Sequence, residues 1–448
     1  MRFDEIRTRL LHRPMSRYQV MAVGIGVMVN MMDGFDLLAI SFAGPAIDRE
    51  WMLGPERLGE LFSAGLLAMA FGAFGLSWLA DVYGRRTATM VNLTSMTIGM
   101  LLAAFATSFS MLLVARVFTG LGVGAMTASI GSLVYEFSSK KRREVSLGFV
   151  TGAFPFGTIV GGAVSVWLLT LGWRAVFGFG AVLTLLLIPL VYWRLPESLD
   201  FLLGKQPRGA LSRANRELGR LGIEPLTELP PKAAVNASGD ASLLDVIRPP
   251  VLISAALACL GYFGFMVSQY FILNWMPALM VDVGYTDAGA ISFSIITNIG
   301  AIVGCGVVGI FTAMWGVRTV TVSMLLIMAA AIAAFGTLPL EAVGLIRTSS
   351  FFIGFAAFAT AVGIFSIMAS GFPSHVRGTG IGLSFTAGRF GSAVGAYLGG
   401  LLLAMGLGRP ELCVVLALPA VGAALVISFL AKRNAGPATA IGRPLPAE

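Results

Sequence analysis

The feature that most limits what this chain can become is a succession of about twelve apolar stretches of roughly 20 residues, separated by polar turns. At a helical rise of about 1.5 Å per residue, each matches the hydrocarbon core of a bilayer. There every backbone N–H and C=O must be satisfied within the segment, and the helix does this. The spans read as 18–44, 58–80, 87–107, 110–135, 145–169 and 174–195, then 250–278, 287–312, 318–337, 345–370, 378–404 and 411–431. With 56% hydrophobic and 12% charged residues over 448 positions, the chain is far too apolar for a soluble domain of that size. The expected fold is therefore an all-α integral membrane protein with twelve transmembrane helices in two six-helix halves. Spans, short loops, a longer central loop and two short tails use up the length, so no large extramembrane domain is expected.

The net charge of +8 raises the question of nucleic acid, but the basic residues follow the loops. Arg2, Arg7, Arg9, Arg13 and Arg17 precede the first span and read as a basic cytoplasmic tail, not as a cleaved signal peptide, because the apolar run behind them is span-length and lacks a small-residue cleavage pattern. With Arg85, Arg86, the run Lys140 to Arg143 and the basic residues between Arg194 and Arg248 on the same side, the positive-inside bias places both termini in the cytoplasm and the protein, multi-pass, in the cell (inner) membrane. The polar segment 196–249 divides the chain into an N-terminal half, 1–195, and a C-terminal half, 250–448. Its stretch from Leu211 to Leu218 reads either as an amphipathic surface helix near anionic lipid or as part of a solvated linker. Six spans on either side of such a segment is the layout of transporters built from two repeats, with the substrate site expected between halves near the bilayer midplane. Cys259, Cys305 and Cys413 fall in separate spans and suggest small buried hydrophobes, neither a disulfide framework nor a metal cluster.

Inside the first span lie Asp33 and Asp36, around Gly34. A carboxylate at the centre of a span costs roughly 2.5 to 3.5 kcal/mol on insertion scales, so two of them need a function. Three residues apart on a helix they stand about 60° apart around the axis and can face one polar cavity, while Gly34 lets another backbone or a ligand come close. Arg116 lies in the fourth span, in the frame Leu112-x3-Arg116-x2-Thr119-Gly120-x-Gly122-x-Gly124, at a depth where it can neutralise these acids. The glycines alone are explained by close helix packing. Two acids facing one base leave a carboxylate free to take a proton; which one titrates stays open, with Asp36 favoured. Glu136 closes the same span ahead of the basic run, as a solvated end or a gate partner.

The loop after the second span reads Ser77-Trp78-Leu79-Ala80-Asp81-Val82-Tyr83-Gly84-Arg85-Arg86. An acid, a turn glycine and paired arginines at a cytoplasmic helix junction can form a charge latch that opens when the helix ends part. This stretch resembles the loop signature G-x-L-A-D-R-x-G-R-R of the major facilitator superfamily, with Ser77 in place of the glycine and Val82 in place of the basic residue. The equivalent loop of the second half, Gly309 to Arg318, has Ala313 at the acid position, which implies a weaker latch there. In the fifth span, Pro155 and its glycines partly resemble the signature of proton-coupled drug exporters, but Pro155 follows Phe154 where those proteins have glycine; a bend that lets the span rock is a sufficient reading.

The seventh span brings Tyr262, Phe265, Gln269, Tyr270, Asn274 and Trp275, of which 262, 265 and 269 share a helical face; Asn298 in the eighth adds an amide. Packed interface and ligand platform are equally open for each. Arg377 stands at the cytoplasmic boundary of the eleventh span and Arg389 about 18 Å deeper, where spans seven to twelve offer no acid, so a carboxylate substrate could serve as its anion. His375, on the turn before it, is not assigned a role.

The Asp33-Gly-Phe-Asp36 motif, Arg116 in its glycine frame, Glu136-Phe137 before a basic run, Trp275-x-Pro277 and the Pro373 to Arg389 stretch are together similar to the aromatic acid:proton symporter family. That resemblance, over nearly the whole chain, implies import of a hydroxybenzoate- or vanillate-like carboxylate with protons by alternating access, with no cofactor besides the coupling proton. It implies proton coupling by Asp33, Asp36 and Arg116, substrate contacts from Arg389, Gln269, Tyr270, Asn274, Trp275 and Asn298, and a cytoplasmic gate of Asp81, Arg85, Arg86, Glu136 and Arg377. Function as a monomer is expected. An antiporter or exporter of small organic anions or drugs on the same fold is the alternative. An enzyme is not expected: no nucleophile–base pair or metal-ligand spacing is visible.

Overall fold

The computed structural model describes residues 13–76, 78–231, 251–373 and 376–434, which leaves Ser77 of the loop motif, His375, the first arginines of the N-terminal tail, the second part of the central segment and the C-terminal tail outside the described residues. The described secondary structure is helical throughout. The helices are α1 (Arg17–Trp51), α2 (Gly54–Gly75), α3 (Trp78–Tyr83), α4 (Arg85–Ala104), α5 (Phe109–Phe137), α6 (Arg143–Leu168), α7 (Trp173–Arg194), α8 (Leu199–Gly204), α9 (Ala210–Arg220), α10 (Val251–Asp282), α11 (Asp287–Trp315), α12 (Val317–Thr337), α13 (Val343–Gly371), α14 (Arg377–Ala404) and α15 (Arg409–Asn434). Twelve of these match the twelve expected spans. Ten of the twelve are long and apolar enough to cross a membrane by length and composition alone; α2 and α14, interrupted by glycines and charges, are the other two.

Local chemistry sets the boundaries. Ser16 opens α1 through a capping box: the Gln19 N–H donates to Ser16 Oγ (3.2 Å) and the Ser16 N–H to Gln19 Oε1 (2.9 Å). The sequence places the end of this helix at residue 44, but α1 continues through Pro45 to Trp51. Charges that ended the apolar run are each given a partner. Asp48 Oδ1 accepts from the Gly54 N–H (2.8 Å), Arg49 donates twice to Asp287 (3.0 and 2.6 Å), and Glu50 accepts from Trp173 Nε1 (2.7 Å) and from Arg174 Nη1. The second span is shorter than expected at its inner end: α2 stops at Gly75 and part of the motif loop forms the separate helix α3.

The central segment folds over its first part. Ser198 caps α8, with the Phe201 N–H donating to its Oγ at 3.1 Å. On α9, Ala210, Ala214, Glu217 and Leu218 are buried while Arg213 and Arg216 are exposed, so the amphipathic helix forms and its apolar face rests on protein, in contact with α8. Tyr18 donates to Glu217 Oε2 (2.6 Å) and Arg220 donates to the Tyr18 hydroxyl (3.0 Å), which fastens α9 to the start of α1 and raises the Arg220 guanidinium above its ordinary value. A solvated linker does not describe 199–220.

The chain divides into two compact units: Met1–Gly239 with Met280–Ile295, and Asp240–Leu279 with Ile296–Glu448. The boundary departs from the expected division at 196–249, because α8 and α9 fold with the first unit and Asp287 is held there by Arg49. In the first unit α2 and α4 pack on α5, α1 on α6 and α4 on α7; in the second, α12 packs on α13 and α15. Backbones meet where glycines leave no side chain. A Cβ on Gly124 would run into the Met69 carbonyl, and one on Gly354 into the Thr297 carbonyl.

Candidate functional site

In the first unit, Asp33 and Asp36 of α1 and Arg116 of α5 are buried, at 2%, 1% and 2% exposure. Arg116 Nη1 lies 3.5 Å from Asp36 Oδ1, so the fourth-span base does meet a first-span acid, but that acid is Asp36, the one expected from the sequence to be left unrestrained. The pair is longer than the 2.7–2.9 Å usual for a charge-assisted hydrogen bond, and Arg116 Nε, Nη1 and Asp36 Oδ1 are buried without a hydrogen-bond partner. Buried polar groups are normally satisfied, so a charge pair held loosely in the core is the feature that singles out this place as a candidate site.

The frame around the pair is built from α1 and α6. Gly34, between the two acids, admits a backbone and not a ligand: a Cβ there would run into the Phe154 carbonyl of α6. Gly157 returns the approach against the Met31 carbonyl, and Thr158 Oγ1 donates to the Gly34 carbonyl at 3.1 Å. Asn30 Nδ2 donates to the Val150 carbonyl, which spends the amide nearest the acids on helix packing. Pro155 lies within α6, which runs unbroken from Arg143 to Leu168.

The inner-end charges arrange differently from the sequence expectation. Asp81 is exposed in α3 and has no ion-pair partner among the described residues. The acids that meet the motif arginines are Glu136 and Glu197. Arg85 Nη2 stands 4.0 Å from Glu136 Oε1, which also accepts from Ser198 Oγ at 2.7 Å. Glu197 accepts from the backbone N–H groups of Arg86 (3.2 Å) and Ser198 (3.0 Å), at the N-terminus of α4. The cause is local: Gly84 has φ +95°, and a side chain there would strike the Glu197 carboxylate. Burial pushes the Glu197 carboxyl above its ordinary range, against the pull of those N–H donors. Arg86 caps the end of α7 by donating to the Tyr192 carbonyl. Glu197 was not singled out from the sequence; the signal was an acid directly after the sixth span followed by the Ser198 cap. Arg377 is exposed and donates from Nε to the Phe372 carbonyl at 3.4 Å.

In the second unit, Arg389 is half-buried on α14, one helical turn beyond Phe385. Tyr262 makes an edge contact with Phe385 at 5.1 Å and lies 5.9 Å from Phe265, and Phe385 stacks on Phe365 at 6.1 Å. A guanidinium thus borders an aromatic cluster. Gly388 leaves the space for the Tyr262 ring. Tyr262 and Phe265, singled out by spacing but not assigned as ligands, belong to this aromatic cluster. Of the α10 residues that were assigned, Gln269 and Tyr270 are buried, with Gln269 Oε1 lacking a hydrogen-bond partner. Asn274 Nδ2 donates to the Tyr270 carbonyl (2.8 Å) and Trp275 Nε1 to the Ala396 carbonyl (2.8 Å), so a donor of each side chain is used in the helix packing. Asn298 is buried in α11.

Comparison with known proteins matches residues 26–396 to the Major Facilitator Superfamily model. The chain is 30% identical over 438 residues to the 4-hydroxybenzoate transporter PcaK of Pseudomonas putida, with 93% of each chain covered. It is 28% identical over 433 residues to the gallate transporter of Pseudomonas putida, with 94% of each covered. Among solved structures, the partially occluded inward-open xylose transporter XylE of Escherichia coli superposes with a TM-score of 0.72 at 18% identity, covering 96% of this chain and 100% of that one. The twelve long helices, the buried charges of α1 and α5 and these matches lead to one conclusion: the chain belongs to the major facilitator superfamily, a family of membrane transporters and not of enzymes.

Proposed function

We propose that this protein imports an aromatic carboxylate together with protons, by alternating access, as a monomer in the inner membrane with both termini in the cytoplasm. The observation that carries the proposal is the Asp36–Arg116 pair, a carboxylate and its counter-charge buried in a helix core at 3.5 Å without a closed hydrogen bond. Protonation of Asp36 neutralises the carboxylate and releases Arg116; loss of the proton restores the pair. Such a switch has two states of comparable energy, because burial opposes the charged acid while the arginine supports it. Asp33, one turn earlier on α1, is the second protonatable group.

Arg389 binds the substrate carboxylate, and the rings of Tyr262 and Phe385 border the aromatic body. Gln269, Tyr270 and Asn298 supply polar contacts to ring substituents. Relatives that span more than nine-tenths of the chain are named for gallate and 4-hydroxybenzoate, both ring carboxylates, which supports the substrate class. On the inner face, Arg85, Arg86, Glu136 and Glu197 form the latch of the first unit, with Asp81 at its edge, and Arg377 is the gate residue of the second unit. The excess of basic residues in the inner loops supports the orientation.

Proteoliposomes test the proposal. An imposed inward proton gradient drives accumulation of 4-hydroxybenzoate or gallate in the wild type, and Asp36→Asn abolishes the gradient-driven part. Full accumulation by that variant rejects the coupling assignment, and efflux under the same gradient makes the protein an exporter. Arg389→Ala weakens binding of the acid tenfold or more and leaves its neutral amide unaffected; equal losses for both reject Arg389 as the carboxylate site.

A further inference from the structure

Nothing in the coupling charges themselves explains why Arg116 lies where it does. The guanidinium is buried, yet its Nε and Nη1 have no hydrogen-bond partner to orient them. What borders it is a bare patch of backbone on α2. A Cβ built on Gly65 would lie 2.9 Å from Arg116 Nη2, 3.2 Å from Nε and 3.4 Å from Cζ. These are the three nearest atoms, so space at this glycine is limited by the guanidinium and not by another backbone. Its neighbours differ in kind: a Cβ on Gly72, Gly120 or Gly124 would meet a main-chain carbonyl of the facing helix. Gly120, one turn beyond Arg116 on α5, approaches the Gly65 carbonyl itself, which brings the α2 backbone up against the arginine. The Nε–Nη2 edge therefore lies on Gly65 while Nη1 reaches Asp36 from the other side.

We infer that Gly65 is a positioning residue for proton coupling: its missing side chain is the seat that holds the Arg116 guanidinium at its distance from Asp36. The inference rests on the proposed role of that pair. A loose ion pair is sensitive to small displacements, because an attraction in a low-dielectric core changes steeply with separation. The other charges near the pair are few. Asp33 stands one turn away on α1, and α2, α4, α6 and α7 carry their charged residues only in their first two or last turns. The Gly65 seat is thus the packing contact through which a neutral residue can tune the pH at which the protein couples.

The test is Gly65→Ala, read by the pH profile of uptake in proteoliposomes. The expected result is a displacement of the midpoint by about half a pH unit or more, with KM at the most acidic pH within twofold of wild type. A wild-type midpoint in well-folded Gly65→Ala overturns the inference. If Gly65→Ala does not fold, the double variant Gly65→Ala/Arg116→Ala decides. Recovery of a monodisperse, cooperatively melting protein shows that the methyl is rejected by the guanidinium, and failure to recover overturns the seat. Asp36→Asn separates this inference from the proposal beneath it. If that variant keeps the wild-type pH profile, the coupling role of the pair fails; if it flattens the profile while Gly65→Ala leaves it in place, only the role of Gly65 fails.

Discussion

Trp275, a ligand candidate by its type, has its one polar group taken up within the helix packing. Its ring is 2% exposed and its indole N–H is used by the Ala396 carbonyl. Trp275→Phe is therefore expected to lower stability by about 1 kcal/mol, the net worth of one buried hydrogen bond, with KM for the substrate within twofold. Thermal unfolding and uptake measured together check this, and a tenfold rise in KM at unchanged stability would return the ring to the substrate path. Asp36 and Arg116 were legible beforehand because charges in a span are too costly to be incidental. Glu197 was not, since an acid just past the end of a span normally meets water. Only the left-handed turn at Gly84 brings backbone donors to it. Because burial raises the folded value of this carboxyl, its contribution to stability is full below the ordinary carboxylate range and declines as pH rises through the folded value. Glu197→Gln, which cannot ionise, should flatten that decline in melting temperature as the pH is raised above the ordinary carboxylate range.

Helix pairs in each unit are joined through glycines, but the glycines are not equivalent. On α11, a Cβ on Gly304 would strike the Phe355 carbonyl of α13, whereas Gly306, two residues on, has open space around it. Gly304→Ala should cost about 1–3 kcal/mol by forcing the helices apart, and Gly306→Ala should be neutral or stabilising by up to about 1 kcal/mol through helix propensity. Melting temperatures of the two variants in one detergent give the comparison; equal effects would mean that packing does not distinguish them. Glycine content predicted close packing in general, but not which glycine faces a neighbour, because that depends on the rotation of each helix. Amphipathic α9 makes the same point. Its periodicity was visible between Leu211 and Leu218, whereas the surface its apolar face covers is a protein surface reached through Tyr18, far away in sequence.

At the scale of the molecule, orientation is testable without transport. In a background lacking Cys259, Cys305 and Cys413, a cysteine at position 213 should be modified by an impermeant maleimide only in inside-out vesicles, and one at position 57 only in right-side-out vesicles. The reverse pattern would invert the assigned topology. The twelve spans, their helical form and the gathering of basic residues in alternate loops were determined by the sequence alone, since they follow from local apolarity, span length and charge counts, which need no partner. So was the presence of charge inside α1, α5 and α14, because a charged residue within a span is visible wherever its partner lies. The tertiary structure alone decided that Arg116 meets Asp36, that Glu136 and Glu197 and not Asp81 receive the motif arginines, and that Gly65 is the bare surface under the guanidinium. Each of these is a matter of a few ångströms between groups on different helices. Such distances are set by helix rotation and by the close approaches that glycines permit, and neither is written in the order of residues along one helix.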